Sequence, residues 1–319
     1  MELVISHLSA LRYWRRFGGN LRYLERQHLA EAMTHPARMN ADLLAELAGL
    51  GFLATKDNPL DLLFYRNAVR SAAVGVRSHA TSRQLPRDSL VRLSEHVLIA
   101  APELAFVQVA ESYPFEQLVM AGCELCGGYR LFGDDGTALA LPEERPRLTS
   151  TERIDAALRE LGLGPRTKAA QAARYVFDNA RSPMEAKVAL LLCMPARRGG
   201  YGLPRPVLNP DVRLSREAQA LYPCSVCHPD LYWTSARLDV EYDGADTHTA
   251  EAHAKDVARA AAFACEGIEM LVVAKAQVYD REAFEAVAAV IAKRLHRRLP
   301  ERKAAFDGAH TRIRRELGL

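Results

Sequence analysis

No apolar run in this 319-residue chain approaches the roughly 20 residues that a membrane-spanning helix needs. The opening MELVISHLSALRYWRR carries its charges after its apolar residues, the reverse of a secretory signal, so a cytoplasmic address is expected. Neither sign of charge dominates: 42 Lys and Arg stand against 39 Asp and Glu, a net charge of +3. That balance is too small by itself to establish a nucleic-acid partner. Low-complexity tracts and internal repeats are missing, and a hydrophobic fraction of 49% excludes global disorder.

Cysteine is scarce, six in all, yet four of the six stand in two CxxC pairs, Cys123–Cys126 and Cys224–Cys227. In a cytosolic chain the pairs are either a metal site, one tetrahedral Zn²⁺ centre if they meet, or ordinary small residues. Cys193 and Cys265 lie in apolar helical stretches and read as packing residues. Basic residues are unevenly spread. Arg12, Arg15, Arg16, Arg22 and Arg26 crowd the beginning, and Lys293, Arg294, Arg297, Arg298, Arg302, Lys303, Arg312, Arg314 and Arg315 crowd the end. Such clusters neutralise phosphates or form solvated helix faces.

The length is that of two domains. Residues 1–132 mix helical patterns (SALRYWRR, ADLLAELAGL) with strand patterns (AAVGVRS, LVRLSEHVLIA), the last running into a helix at PELAFVQVAESY. Gly, Pro and charge mark residues 133–150 as a linker. From 151 to 319 the expected order is helix, strand, hairpin, helix, buried strand, helix, a mixed α/β domain with helices flanking one sheet. Ser182, Pro183 and Glu185 spell a helix start with a capping box. Gly267 closes a helix over about 249–266, and IEMLVVA (268–274) reads as a fully buried strand.

Residues 229–244, PDLYWTSARLDVEYDG, put Asp and Glu into an apparent β-hairpin, although Asp is depleted in strands. A turn at Thr234–Arg237 pairs Trp233 with Leu238, Tyr232 with Asp239, Leu231 with Val240 and Asp230 with Glu241. Leu231, Trp233, Leu238 and Val240 then share the core face, while Asp230, Tyr232, Asp239 and Glu241 share the other. Directly opposite residues have Cβ atoms about 4.5–5.5 Å apart, so Asp230 and Glu241 would hold two carboxylates side by side. A hard divalent cation turns that repulsion into a binding site. The other reading is a solvated polar face in a different register, with Asp243-Gly244 a simple turn.

The combination of SPMEAKVALLL, GLPRPVLN, PDLYW and LDVEYDG with the His, Asp and Arg that follow resembles the PD-(D/E)xK restriction-endonuclease-like superfamily over roughly residues 180–296. Within it, the likeness is to the branch related to very-short-patch-repair endonucleases. The resemblance implies a restriction-endonuclease-like mixed sheet flanked by helices, preceded by a smaller α/β domain that binds DNA or a partner. It implies a Mg²⁺- or Mn²⁺-dependent endonuclease acting on DNA. Asp230 matches the PD aspartate, Glu241 the acidic residue of (D/E)xK, and Glu185 the acidic residue of the preceding helix. His248, Asp256 and Arg259 match the His and the D..R pair after EYDG. The lysine position is Asp243 here, which leaves His248 as the candidate proton carrier, or the domain as a non-catalytic, antitoxin-like DNA-binding regulator. Plain structural readings stand beside these: a cap for Glu185, a helix start for His248, and a helix-surface ion pair for Asp256 and Arg259. HVLIAAPELAFVQVAE and ELCGGY are similar to the leading domains of such proteins, which loosely resemble abortive-infection-type antitoxin and DNA-binding regulators, and carry no site residues.

Overall fold

Two apolar tripeptide-scale runs, Leu3–Ile5 and Val97–Ala100, are buried on both faces and pair in parallel. A strand buried on both faces needs no polar alternation, and these two form the middle of the first sheet. The computed structural model describes residues 2–17, 26–27, 40–65, 75–82, 84–131, 145–244 and 250–319. They form an α/β protein of two compact units, one built mainly from residues 1–176 and the other mainly from 177–319.

The first unit contains β1 (Leu3–Ile5), α1 (His7–Phe17), β2 (Arg26–Gln27), α2 (Ala41–Gly49), β3 (Leu60–Tyr65), β4 (Val76–Thr81), β5 (Leu90–Arg92), β6 (Val97–Ala100), α3 (Pro102–Val109), α4 (Phe115–Leu125), α5 (Thr151–Glu160) and α6 (Lys168–Ala173). Its six-stranded mixed sheet runs β2-β5-β6-β1-β3-β4. LVRLSEHVLIA, expected as one strand, is two: β5 and β6 pair antiparallel around a turn in which the Leu93 and Ser94 amides both donate to the Val97 carbonyl. Residues 145–176 also group with this unit, where the sequence pattern had placed 151–319 together. The ties are specific. Thr149 Oγ1 donates to Glu103 Oε1 at 2.5 Å, and Arg153 Nε lies 2.9 Å from the same oxygen, which binds the start of α5 to α3. Most of the expected linker, residues 132–144, lies outside the described residues.

The second unit contains α7 (Pro183–Cys193), β7 (Val207–Leu208), β8 (Val212–Arg213), α8 (Arg216–Leu221), β9 (Val226–Cys227), β10 (Leu231–Trp233), β11 (Leu238–Asp243), α9 (Ala250–Cys265), β12 (Glu269–Ala274), α10 (Lys275–Tyr279), α11 (Arg281–Arg294) and α12 (Ala304–Glu316). Its main sheet runs β12-β11-β10-β7, with β8 and β9 a separate pair. Ser182 Oγ accepts from the Glu185 amide at 3.1 Å, so α7 begins where the Ser-Pro-x-Glu pattern puts it. Gly267 ends the turn after α9 at φ +68°, a conformation that favours glycine.

The hairpin has the expected register, Leu231 opposite Val240, Tyr232 opposite Asp239 and Trp233 opposite Leu238. A 3₁₀ turn over Thr234–Ala236 and a left-handed Arg237 connect the strands. Leu231, Trp233, Leu238 and Val240 are all buried. The opposite face is covered as well. β11 and β12 are parallel, their connection must cross over, and α9 lays Ala262 and Phe263 with Leu214, Ala218, Cys227 and Ile268 around Tyr232. β12, expected to be fully buried, is instead the sheet edge. Val273 is buried there, but Val272 is 49% exposed. A continuous apolar run shows burial on average and does not reveal a strand's place in the sheet order.

Among the described residues, no helix is long and apolar enough to cross a membrane.

Candidate active site

Asp230 sits one residue before β10 and Glu241 is the fourth residue of β11, so the hairpin brings them together. The Asp230 amide donates to Glu241 Oε1 at 3.3 Å, and Asp230 Oδ2 accepts from the Tyr242 amide at 2.9 Å. Asn209, left-handed at φ +47°, joins this pair to α7. Its amide donates to the Asp230 carbonyl at 3.2 Å and its side-chain Nδ2 donates to Glu185 Oε2 at 2.6 Å. Glu185 is buried and also accepts from the Arg181 amide at 2.9 Å. Half of the expected capping box is therefore present. The return bond goes to Arg181, one residue earlier than the cap, and the carboxylate reaches into the cluster as well.

The guanidinium that answers these acids is Arg259, from the third turn of α9. Its Nη1 lies 2.8 Å from Glu241 Oε2 and its Nη2 lies 2.7 Å from Oε1, with a further bond to the His228 carbonyl at 2.8 Å. A bidentate fork of this kind is the strong form of a charge-assisted hydrogen bond. Arg259 belongs to the D..R pair read from the sequence, and the carboxylate it holds in this fork is Glu241. A pocket of about 200 Å³ opens beside Glu241, bordered by Tyr242, Asp243, Asp256, Arg259, Met270 and Val272.

Asp239 was legible only as a member of the polar face, and its role was missed. It is fully buried at 0% exposure and no N–H or hydroxyl donor reaches either carboxyl oxygen, so its one hydrogen bond is the carboxyl–carboxyl contact to Glu241 that a proton between them makes. Burial, followed by the nearby Glu241, pushes its pKa up to about 10. Asp230 is pushed up to about 8, first by burial and then by Glu185 and Glu241. Burial also raises Glu185. The signal available in the sequence was an Asp in mid-strand, at a position where the residue type is disfavoured.

Four carboxyls thus crowd around Arg259, and the crowding keeps Asp230 and Asp239 largely protonated near neutrality. A hard divalent cation would displace those protons, with Asp230, Glu241 and Glu185 as the oxygen donors that would hold it. Among the described residues, no group of three or more His, Cys, Asp and Glu side chains is already set in coordinating positions. Of the CxxC cysteines, Cys123 and Cys126 are buried on and just after α4 in the first unit, while in the second Cys224 precedes β9 and Cys227 is its last residue. His248 lies outside the described residues.

The basic clusters are largely spent on structure. Arg15 is buried against Glu124 at 2.8 Å, and Arg314 is buried and donates to the carbonyls of Val278 and Tyr279. Arg294 pairs with Glu269 and Arg302 with Glu285. Lys293, Arg297, Arg298 and Arg312 are exposed and make no ion pair among the described residues.

Searches against protein-family models, curated proteins and solved structures found no match to this chain.

Proposed function

We propose that the second unit is a metal-dependent DNA endonuclease that hydrolyses phosphodiester bonds, with the cytoplasm as its compartment. The observation that carries this reading is the cluster of Asp230, Glu241 and Glu185, whose carboxyls crowd one another and the buried Asp239. Bound Mg²⁺ or Mn²⁺ would supply Lewis-acid polarisation of the phosphodiester and a water of lowered pKa. The chain's own part is to hold three carboxylates at fixed positions. Asn209 and the Arg181 amide orient Glu185, the Tyr242 amide orients Asp230, and Arg259 orients Glu241. His248 is the candidate proton carrier, since an unperturbed imidazole titrates near pH ~6.5. Lys293, Arg297, Arg298 and Arg312 are available to phosphates without reading sequence.

A second reading has its own support. Arg259 occupies both oxygens of Glu241, as it would in a non-catalytic DNA-binding, antitoxin-like regulator that retains a degenerate nuclease fold. Incubation of the protein with supercoiled plasmid, with Mg²⁺, with Mn²⁺ and with chelator, separates the two. The endonuclease nicks or cleaves only with metal, and Asp230→Ala or Glu241→Ala abolishes the cleavage. Cleavage that survives in both variants, after removal of contaminating nuclease, overturns the site. DNA binding without metal-dependent cleavage selects the second reading.

A further inference from the structure

A groove in the first unit, far in sequence from the carboxylates, combines aromatic rings with guanidinium groups on an exposed surface. The last turns of α1 present Tyr13, Arg16 and Phe17. The Tyr13 ring stacks on Phe52 at 5.3 Å with 16° between planes, and Phe17 lies 5.1 Å from Tyr13. The Arg16 guanidinium stands 5.0 Å over the Phe17 ring, and Arg12 is held by the Asn58 side chain across the groove. Gly51 makes the closeness possible. Its φ is +87° and a Cβ there would come within 3.0 Å of the Phe17 ring.

The groove holds a cavity of about 170 Å³, against the ~10–15 Å³ that one water needs. Among the described residues lining it are two arginines and no Asp or Glu. Phe17 is 42% exposed and Leu53 is 69% exposed. The exposed part of the Phe17 ring offers a stacking surface, and the exposed Arg16 guanidinium beside it complements a phosphate. A duplex keeps its bases stacked inside and cannot use such a platform, whereas an unpaired nucleotide supplies both a π-face and a phosphate.

We propose that this groove binds a single-stranded segment of DNA, with a base stacked on the exposed part of Phe17 and its neighbouring phosphate held by Arg16. The inference rests on the proposed reading for DNA as the polymer and on the groove alone for the strand being unpaired. It requires neither metal nor turnover.

The test is fluorescence anisotropy on the full chain in chelator, with a short labelled oligothymidylate and a labelled duplex of equal length. Wild type should bind the oligothymidylate at least about tenfold more tightly than the duplex. Phe17→Ala should weaken oligothymidylate binding by about 5- to 150-fold, the equivalent of one ~1–3 kcal/mol base–aromatic stack. Arg16→Glu should weaken it further and reduce the slope of log K against log salt by about 0.7 for each phosphate no longer neutralised. Both side chains are exposed, so neither change threatens the fold, and circular dichroism verifies this. Duplex binding as tight as oligothymidylate binding, absence of oligothymidylate binding, or binding indifferent to both variants overturns the proposal. Plasmid cleavage assayed in parallel keeps the two readings apart. Loss of all metal-dependent cleavage with oligothymidylate binding intact removes the endonuclease and leaves the groove; variant-indifferent binding with cleavage intact does the reverse.

Discussion

Arg259 grips both carboxylate oxygens of Glu241, at 2.8 and 2.7 Å, from a helix that the parallel crossover between β11 and β12 carries over the sheet. The two side chains are 23% and 14% exposed, so the fork is shielded from solvent without being sealed from it. A pair so placed is coupled. In a double-mutant cycle of Arg259→Ala and Glu241→Ala, the interaction energy should fall within ~0.5–3 kcal/mol by denaturant unfolding in chelator. Under the endonuclease reading, Arg259→Ala also frees Glu241, so added Mn²⁺ should raise its melting temperature more than that of wild type. A cycle that closes additively would show that the fork contributes nothing to the fold.

Asp230→Asn tests the carboxylate crowding without a substrate. Asn retains an oxygen that can accept from the Tyr242 amide, so the hydrogen bond at 2.9 Å survives the change. What it loses is a carboxyl that must take up a proton on folding because it lies buried beside Glu185 and Glu241. The metal-free variant should be as stable as wild type or more so, by about 0.2–1 kcal/mol near neutrality on cross-strand pair magnitudes. The pH dependence has a definite sign. Asp230 titrates at about 8 in the fold, above the ordinary carboxylate value. The stability tied to its proton is therefore complete in acid and lost as pH rises through about 8. The advantage of Asn should grow over that window, and metal should stabilise wild type more than the variant. A destabilised variant with a metal-indifferent wild type contradicts the site.

Asp239 is a carboxyl buried in mid-strand whose one hydrogen bond is to another carboxyl, that of Glu241. No N–H or hydroxyl donor reaches either of its oxygens, on a residue opposite Tyr232 and beside Met270 in the sheet. An unsatisfied buried polar group costs about 1–3 kcal/mol, and a β-branched side chain suits a strand. Asp239→Val should therefore stabilise the metal-free protein by about that amount. If Asp239 serves the metal site, the same substitution should weaken the melting shift produced by Mn²⁺. Equal stabilisation with an unchanged Mn²⁺ shift would confine Asp239 to a structural oddity.

The hairpin was readable in advance because its information is local. Alternation of period two sorts Leu231, Trp233, Leu238 and Val240 onto one face, and a single register then places Asp230 beside Glu241. Ser182 and Gly267 were readable for the same reason, each being a cap whose chemistry is complete within a few residues. Asp239 was not, because its burial is imposed by α9, an element some 20 positions further along the chain. The edge position of β12 is set by sheet order, which apolar character does not encode. The grouping of α5 with the first unit depends on Glu103, whose bonds to Thr149 and Arg153 span 46 and 50 positions of sequence.

The last test concerns the first unit, where a strained histidine opens α1. His7 has φ +49°, its amide donates to Gln108 Oε1 at 3.0 Å, and its ring stacks 3.5 Å from that of His79. His79 in turn meets the buried Asp61 carboxylate at 2.8 Å. Burial, and then His79, lower the His7 pKa to about 3, against the opposing pull of Asp61. The unfolded chain therefore takes up a proton near pH ~6.5 that the folded chain refuses. Stability should fall as pH drops from the ordinary histidine value towards about 3. The lowered pKa of Asp61 acts in the same direction, since its carboxylate must also be protonated in acid. Asn tolerates the left-handed backbone at position 7 and does not titrate. His7→Asn should flatten the acid slope of the unfolding free energy while leaving the part due to Asp61. Proton NMR of the His7 ring should show no titration until well below pH ~5. A His7 ring that titrates near its ordinary value, or a variant with an unaltered acid slope, would show that the stack does not hold this imidazole neutral.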